Sequence, residues 1–246
     1  TLPLLTSAQI NALEALLVAT NGIPLPQRMT RAGEQLAQLA RHLLDDEVVD
    51  RPIVVLAGRG NNGGGGLVAA RYLLTWGAWV QVVLTHPAES YQGVPAEQLQ
   101  SLYALEAGIA WAEGGWEVPP TDLVIDALVG GGLQGAPHGK VRDLIHLANS
   151  SMAPIVSLDL PSGLDSTRGE LYTPHIRAAA TLALGLPKVG LPLAAKQGAL
   201  GDLYLADVGI PPQLYAQLGL VVPSLFADGP LVGLTVKGEK IWVSLS

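Results

Sequence analysis

The run Pro52-Ile53-Val54-Val55-Leu56-Ala57-Gly58-Arg59-Gly60-Asn61-Asn62-Gly63-Gly64-Gly65-Gly66 decides the fold class. Its first six residues are aliphatic with no polar alternation, the pattern of a strand buried on both faces. Glycines follow, and then a helical stretch over Leu67–Trp76. The same grammar recurs downstream. Strands are expected at Trp79–Leu84, Ile109–Trp111, Leu123–Ala127 and Ile155–Leu160, with helices at Ala96–Ala107 and Val141–Asn149 between them. The runs Ala178–Leu184 and Leu203–Val208 extend the sheet, and Leu231–Leu245 reads as a hairpin turning at Lys237-Gly238-Glu239. Upstream, Thr6 and Gln9 spell a capping box for a first helix that stops at Asn21-Gly22. A second helix is expected from about Pro26 to Asp45. The chain thus reads as one α/β domain over residues 1–246, with three layers, a mostly parallel central sheet and an N-terminal helical pair.

Composition removes whole classes of function. Apolar residues make up 49% of the 246 and charged residues 14%, too apolar for disorder. The net charge is −7 and the 14 Lys and Arg are scattered, so no nucleic-acid footprint is expected. Without cysteine there is no disulfide, thiolate zinc site, iron–sulfur cluster or cysteine nucleophile. The longest uncharged window, Val208–Ala227, carries Pro211, Pro212, Pro223, Gln213 and Gln217, which a lipid-facing helix does not tolerate. No basic segment with an apolar core opens the chain, and a cytoplasmic location is the expectation.

Ligands of an open parallel sheet bind beyond the carboxyl ends of its strands, and three such ends are chemically unusual here. The first, Gly58–Gly66, contains a literal G-x-G-x-x-G between a strand and a helix, the setting in which backbone N–H groups cradle phosphate. The acid that would hold a dinucleotide ribose is absent: the second strand ends Leu84-Thr85-His86, and the first acid is Glu89. Tight helix–strand packing alone accounts for glycines but not for the paired Asn61 and Asn62. The second end places Asp126 before the loop Gly130-Gly131-Gly132-Leu133. Its carboxylate either caps the turn or contacts a cation or substrate. The third is Ser157-Leu158-Asp159-Leu160-Pro161-Ser162-Gly163-Leu164-Asp165, with another aspartate at another strand end. Amide, hydroxyl and carboxylate oxygens together suit a hard cation, and so few carboxylates suit a weakly charged one.

In order and spacing, these motifs resemble the YjeF N-terminal domain family, the NAD(P)H-hydrate epimerases. The resemblance rests on GNNGG followed by Gly66-Leu67-Val68-Ala69-Ala70-Arg71, on DLVIDALVGGGL from Asp122, on SLDLPSGLD from Ser157 and, more weakly, on Leu184–Leu191. It covers about residues 6–218 and leaves 219–246 as an extension. It implies a Rossmann-like domain, often dimeric, that epimerises the C6 hydrates of NADH and NADPH so that a partner dehydratase restores the S form. It also implies one potassium ion per subunit, held by Asn62, Asp126 and Ser162. Substrate contacts would fall on Asn61, Asn62, Gly63, Gly64 and Gly65, on Gly130, Gly131, Gly132, Leu133, Gln134, Gly135 and Ala136, and on Asp159.

Two departures stand out. Gly65 replaces the family's aspartate, and His86 stands where the family commonly has lysine, with no lysine before Lys140. Asp159, Asp126 and His86 are the expected proton-transfer groups, and an aspartate restored at position 65 is expected to be tolerated. Two other readings compete: a catalytically silent binding or scaffold module of the same fold, and an NAD-dependent oxidoreductase.

Overall fold

A computed structural model describes residues 1–20, 22–112, 116–166 and 168–244. Two helices open it, α1 (Ser7–Ala19) and α2 (Leu25–Leu43). The capping box is present: Gln9 N–H donates to Thr6 Oγ1, and the Gln9 side chain accepts from Thr6 N–H. Asn21, expected as a stop signal, lies outside the described residues. There follow β1 (Pro52–Ala57), α3 (Asn61–Thr75), β2 (Trp79–Leu84), α4 (Val94–Ala104), β3 (Gly108–Trp111), β4 (Leu123–Ala127), α5 (Gly139–Ser150) and β5 (Ile155–Leu158). A small pair, β6 (Leu164–Asp165) with β7 (Glu170–Leu171), precedes β8 (Ala180–Leu184), α6 (Leu191–Lys196), β9 (Asp202–Ala206) and α7 (Pro212–Gln217). The hairpin β10 (Leu231–Lys237) and β11 (Lys240–Val243) comes last and turns at Gly238-Glu239.

Nine strands form one sheet in the order β11-β10-β9-β8-β5-β4-β1-β2-β3. From β3 to β9 every pairing is parallel, and β10 and β11 close the edge antiparallel. The aliphatic run of β1 explains the layering. Ile53, Val55 and Ala57 pack with α2 and α3, while Val54 and Leu56 pack with Leu144, Ile145 and Ala148 of α5 on the opposite face. A strand buried on both sides has no polar face to show.

Three expectations are corrected. The segment Gly63–Gly66 is not loop but the opening of α3, which starts at Asn61 rather than Leu67. Close packing selects glycine there. A Cβ on Gly63 would sit 1.6 Å from Gly58 O, and one on Gly66 would sit 2.4 Å from Ala127 Cβ. Secondly, β5 stops at Leu158 because Asp159 turns to φ +67°, a left-handed conformation. Thirdly, the helices α6 and α7, each six residues long, were not foreseen.

Candidate active site

The strands β5, β4 and β1 are neighbours, so the three unusual loops open side by side. Register sets the rungs: Leu56 pairs with Asp126, and Asp126 with Ser157. Asp126 is fully buried at this junction. Its Oδ1 accepts from Ser162 Oγ at 2.6 Å and Leu128 N–H at 3.3 Å. Its Oδ2 accepts from Ser157 Oγ at 2.8 Å and Ser162 N–H at 2.9 Å. Burial pushes the Asp126 carboxyl above its usual range, and hydrogen bonds from Ser162, Ser157 and Leu128 oppose that rise. Ser162 Oγ also accepts from Val129 N–H at 3.0 Å, which ties the third loop to the second. The carboxylate thus caps both turns.

Asp159 is held differently. Its backbone N–H donates to Leu182 O at 2.7 Å, and its Oδ1 takes an ion pair from Lys188 Nζ. Its other oxygen faces the glycine loop: a Cβ on Gly130 would lie 3.2 Å from Asp159 Oδ2 and 3.0 Å from Asn62 Oδ1. Gly130 is thus the point where all three loops meet, and a side chain there would press on Asn62 and Asp159. Gly131 continues the same wall, its Cβ position 3.8 Å from Asp159 Oδ2 and 3.7 Å from Ser166 Oγ. Among the described residues neither Ser166 Oγ nor Asn62 Nδ2, both buried, has a hydrogen-bond partner. Two unpaired polar atoms beside a carboxylate mark a place prepared for a polar ligand.

Leu133, Gln134, Gly135 and Ala136 continue the loop towards the surface, with Gln134 and Ala136 exposed. Asn61 and Asn62 occupy the first turn of α3, whose cap residue Gly60 offers no side chain and so leaves the first N–H groups open. Gly64 and Gly65 lie inside the helix, Gly64 against Met29 and Gly65 against Leu158.

His86 stands apart from this convergence. It follows β2, on the far side of β1 from Asp126, and its Nδ1 pairs with Thr85 Oγ1 at 2.8 Å. Burial, and then the Arg59 guanidinium, hold its imidazole below the ordinary value of 6.5. The ammonium that the crevice was expected to lack is supplied by Lys188. The signal was available in Leu184-Gly185-Leu186-Pro187-Lys188, but nothing in the sequence joins it to an aspartate 29 positions away.

The oxygens of Asn62, Asp126 and Ser162 carry one formal charge and no nitrogen or sulfur ligand, and this fits a hard monovalent cation. Among the described residues no three of His, Asp and Glu converge as a transition-metal site.

The family described as YjeF-related protein N-terminus matches residues 26–190. The chain belongs to this family. It is 41% identical to an NAD(P)H-hydrate epimerase of Truepera radiovictrix, over 91% of this chain and 99% of that protein. It is 38% identical to another of that name from Dehalogenimonas lykanthroporepellens, over 96% and 94%. A bifunctional NAD(P)H-hydrate repair enzyme Nnr of Moorella thermoacetica is 33% identical over 87% of this chain, which spans 42% of that longer protein. The crystal structure of yeast ynu0 superposes with a TM-score of 0.82 at 23% identity, covering 95% of this chain and all of that one, and so shares the YjeF-type fold. Among the described residues no helix is long and apolar enough to cross a membrane.

Proposed function

We propose that this protein is an NAD(P)H-hydrate epimerase, an isomerase interconverting the R and S forms of the C6 hydrates of NADH and NADPH. The observation that carries the reading is the meeting of Asn62, Asp159 and the glycine loop at Gly130, in a chain 41% identical to an enzyme of that name along nearly its whole length.

Asp159 is the proton-transfer group, because its Oδ2 faces the loop while its Oδ1 is engaged. Inversion at C6 needs one bond at that carbon to break and re-form from the other face. In a ring-opening route, Asp159 takes the C6 hydroxyl proton as the C6–N1 electron pair passes to nitrogen, leaving an aldehyde. The carboxyl then gives that proton to N1. Closure reverses these steps on the opposite face of the carbonyl, with no net oxidation. His86, apart from that convergence at the end of β2, is the candidate for a second proton carrier, its imidazole pKa lowered by burial and by Arg59. The open N–H groups at Asn61 and Asn62 and the loop Gly130–Ala136 bind the nucleotide.

A potassium ion, one per subunit, belongs with Asn62, Asp126 and Ser162. Bound by those residues, the ion would supply positive charge at the junction of the loops. Asp126 carries no proton in this scheme, since its oxygens already hold the two turns. A dehydratase acting on the S form is the natural partner, and a longer relative is named a bifunctional NAD(P)H-hydrate repair enzyme. The chain is proposed to work as a single domain, in the cytoplasm, and as a homodimer.

The deciding experiment adds the purified protein to mixed R and S hydrates with an S-specific dehydratase. Complete conversion is expected. Conversion of the S fraction alone overturns the reading in favour of a silent binding module.

A further inference from the structure

We propose that Lys188 is a positioning residue for Asp159, its ammonium fixing Oδ1 so that Oδ2 alone is presented to the ligand. This rests on the epimerase reading for its kinetic part and on geometry for the rest. Lys188 is 7% exposed and Asp159 8%, so the pair is shielded from water. Among the described residues five non-glycine positions have positive φ, and of these only Asp159 is buried; Asp45, Asp46, Asp50 and Glu106 lie at the exposed surface. A strained backbone persists where its surroundings over-determine it. Here the determinants are the Leu182 carbonyl behind the residue and the Lys188 ammonium in front.

Lys188 is itself anchored from both sides. Leu5 forms a parallel bridge with it: Leu5 N–H donates to Pro187 O at 2.8 Å, and Val189 N–H donates to Leu5 O at 3.1 Å. Leu191 N–H then donates to Lys188 O at 3.0 Å at the entry to α6. An ammonium on a flexible stem is thus delivered from a backbone that cannot drift. A carboxylate paired through one oxygen loses its freedom to rotate, which matters to a base that must meet a hydroxyl in one orientation. Stability alone does not call for such a pair, because well-packed apolar residues serve a core as well or better.

The test compares wild type, Lys188→Met, Lys188→Arg, Asp159→Asn and the double variant Asp159→Asn/Lys188→Met. With the hydrate mixture and excess dehydratase, Lys188→Met should lower kcat at least thirtyfold, with KM changed less than about threefold, and Lys188→Arg should recover most of kcat. An unchanged kcat per folded enzyme overturns the proposal. Melting temperatures supply a readout independent of activity. Each single variant should melt lower than wild type, and the double variant should melt higher than Lys188→Met, because it leaves no buried charge unpaired. Additive losses overturn the pairing. If Lys188→Met does not fold, a folded double variant supports coupling through Asp159, and an unfolded one beside a folded Asp159→Asn overturns it. A wild-type protein without epimerase activity would remove the functional reading while leaving the melting cycle to decide the pairing.

Discussion

Ser162 closes both oxygens of Asp126, its hydroxyl donating to Oδ1 at 2.6 Å and its backbone N–H to Oδ2 at 2.9 Å. One residue of the loop after β5 therefore locks the carboxylate that ends β4, and the two loops move as a unit.

Asp126→Asn should destabilise the fold by about 2–4 kcal/mol, because an amide offers one acceptor oxygen to donors that fill two. Urea denaturation measures this. The pH dependence has a definite sign. Burial raises the folded carboxyl above 3.8, so the stability tied to Asp126 is complete below that value and is lost as pH rises through the folded one. The gap between wild type and Asp126→Asn should narrow as pH rises above 3.8; a constant gap would contradict the assignment.

Asp159→Asn should instead act on turnover, lowering kcat by roughly 10²–10⁴-fold. Potassium should raise the melting temperature of wild type and of this variant alike, whereas Asp126→Asn should lose most of that response. Equal loss of the response in both variants would show their roles to be wrongly divided.

Gly130→Ala tests the meeting point of the loops. A methyl group there lies 3.0 Å from Asn62 Oδ1 and 3.2 Å from Asp159 Oδ2. Activity should fall at least tenfold, roughly 1.4 kcal/mol of barrier, with little change in melting temperature. A fully active variant would remove the loop from the substrate's path.

Gly65→Asp should lower stability by about 1–3 kcal/mol, against the expectation of tolerance drawn from the family motif. Position 65 is buried inside α3, and the only atoms within 4 Å of a Cβ there belong to the Leu158 side chain, Cδ2 at 2.6 Å. Thermal melting of this variant beside Gly65→Ala separates the steric part from the cost of a buried carboxylate.

His86→Ala should slow epimerisation at least tenfold if the imidazole carries a proton. Because burial and Arg59 lower its folded pKa, the neutral form prevails at and above 6.5, and the rate should hold there and decline only at lower pH. Stability has the same sign: the contribution is present above 6.5 and is lost as pH falls through the folded value. A rate indifferent both to pH and to the substitution would leave Asp159 as the only proton carrier.

Much of this architecture was legible because burial on both faces leaves an unmistakable trace, as in Pro52–Ala57 and Leu123–Ala127, both recovered with their boundaries. The meeting of the three loops followed from strand adjacency. Gly63–Gly66 misled because glycine signals a break in sequence, while in space it signals close approach. The prolines at the starts of α6 and α7 were helix-start signals, but six residues give periodicity too little room. Lys188 stayed hidden for another reason: an ion pair between loops after two different strands leaves no local pattern.

The four consecutive glycines of α3 have a consequence for the order of assembly. Together they withdraw roughly 3–4 kcal/mol of intrinsic helicity relative to alanines, so the start of that helix does not nucleate on its own. It winds only once α2 is seated, where Gly33 lets the backbone of Gly65 and the side chain of Val68 come close. The amides of residues 64–66, the first to be hydrogen-bonded in α3, should therefore exchange with solvent in concert with α2 rather than with the rest of α3. Asn61 and Asn62 should therefore take their places only after α2 has docked, so that the ligand site forms behind a core already closed.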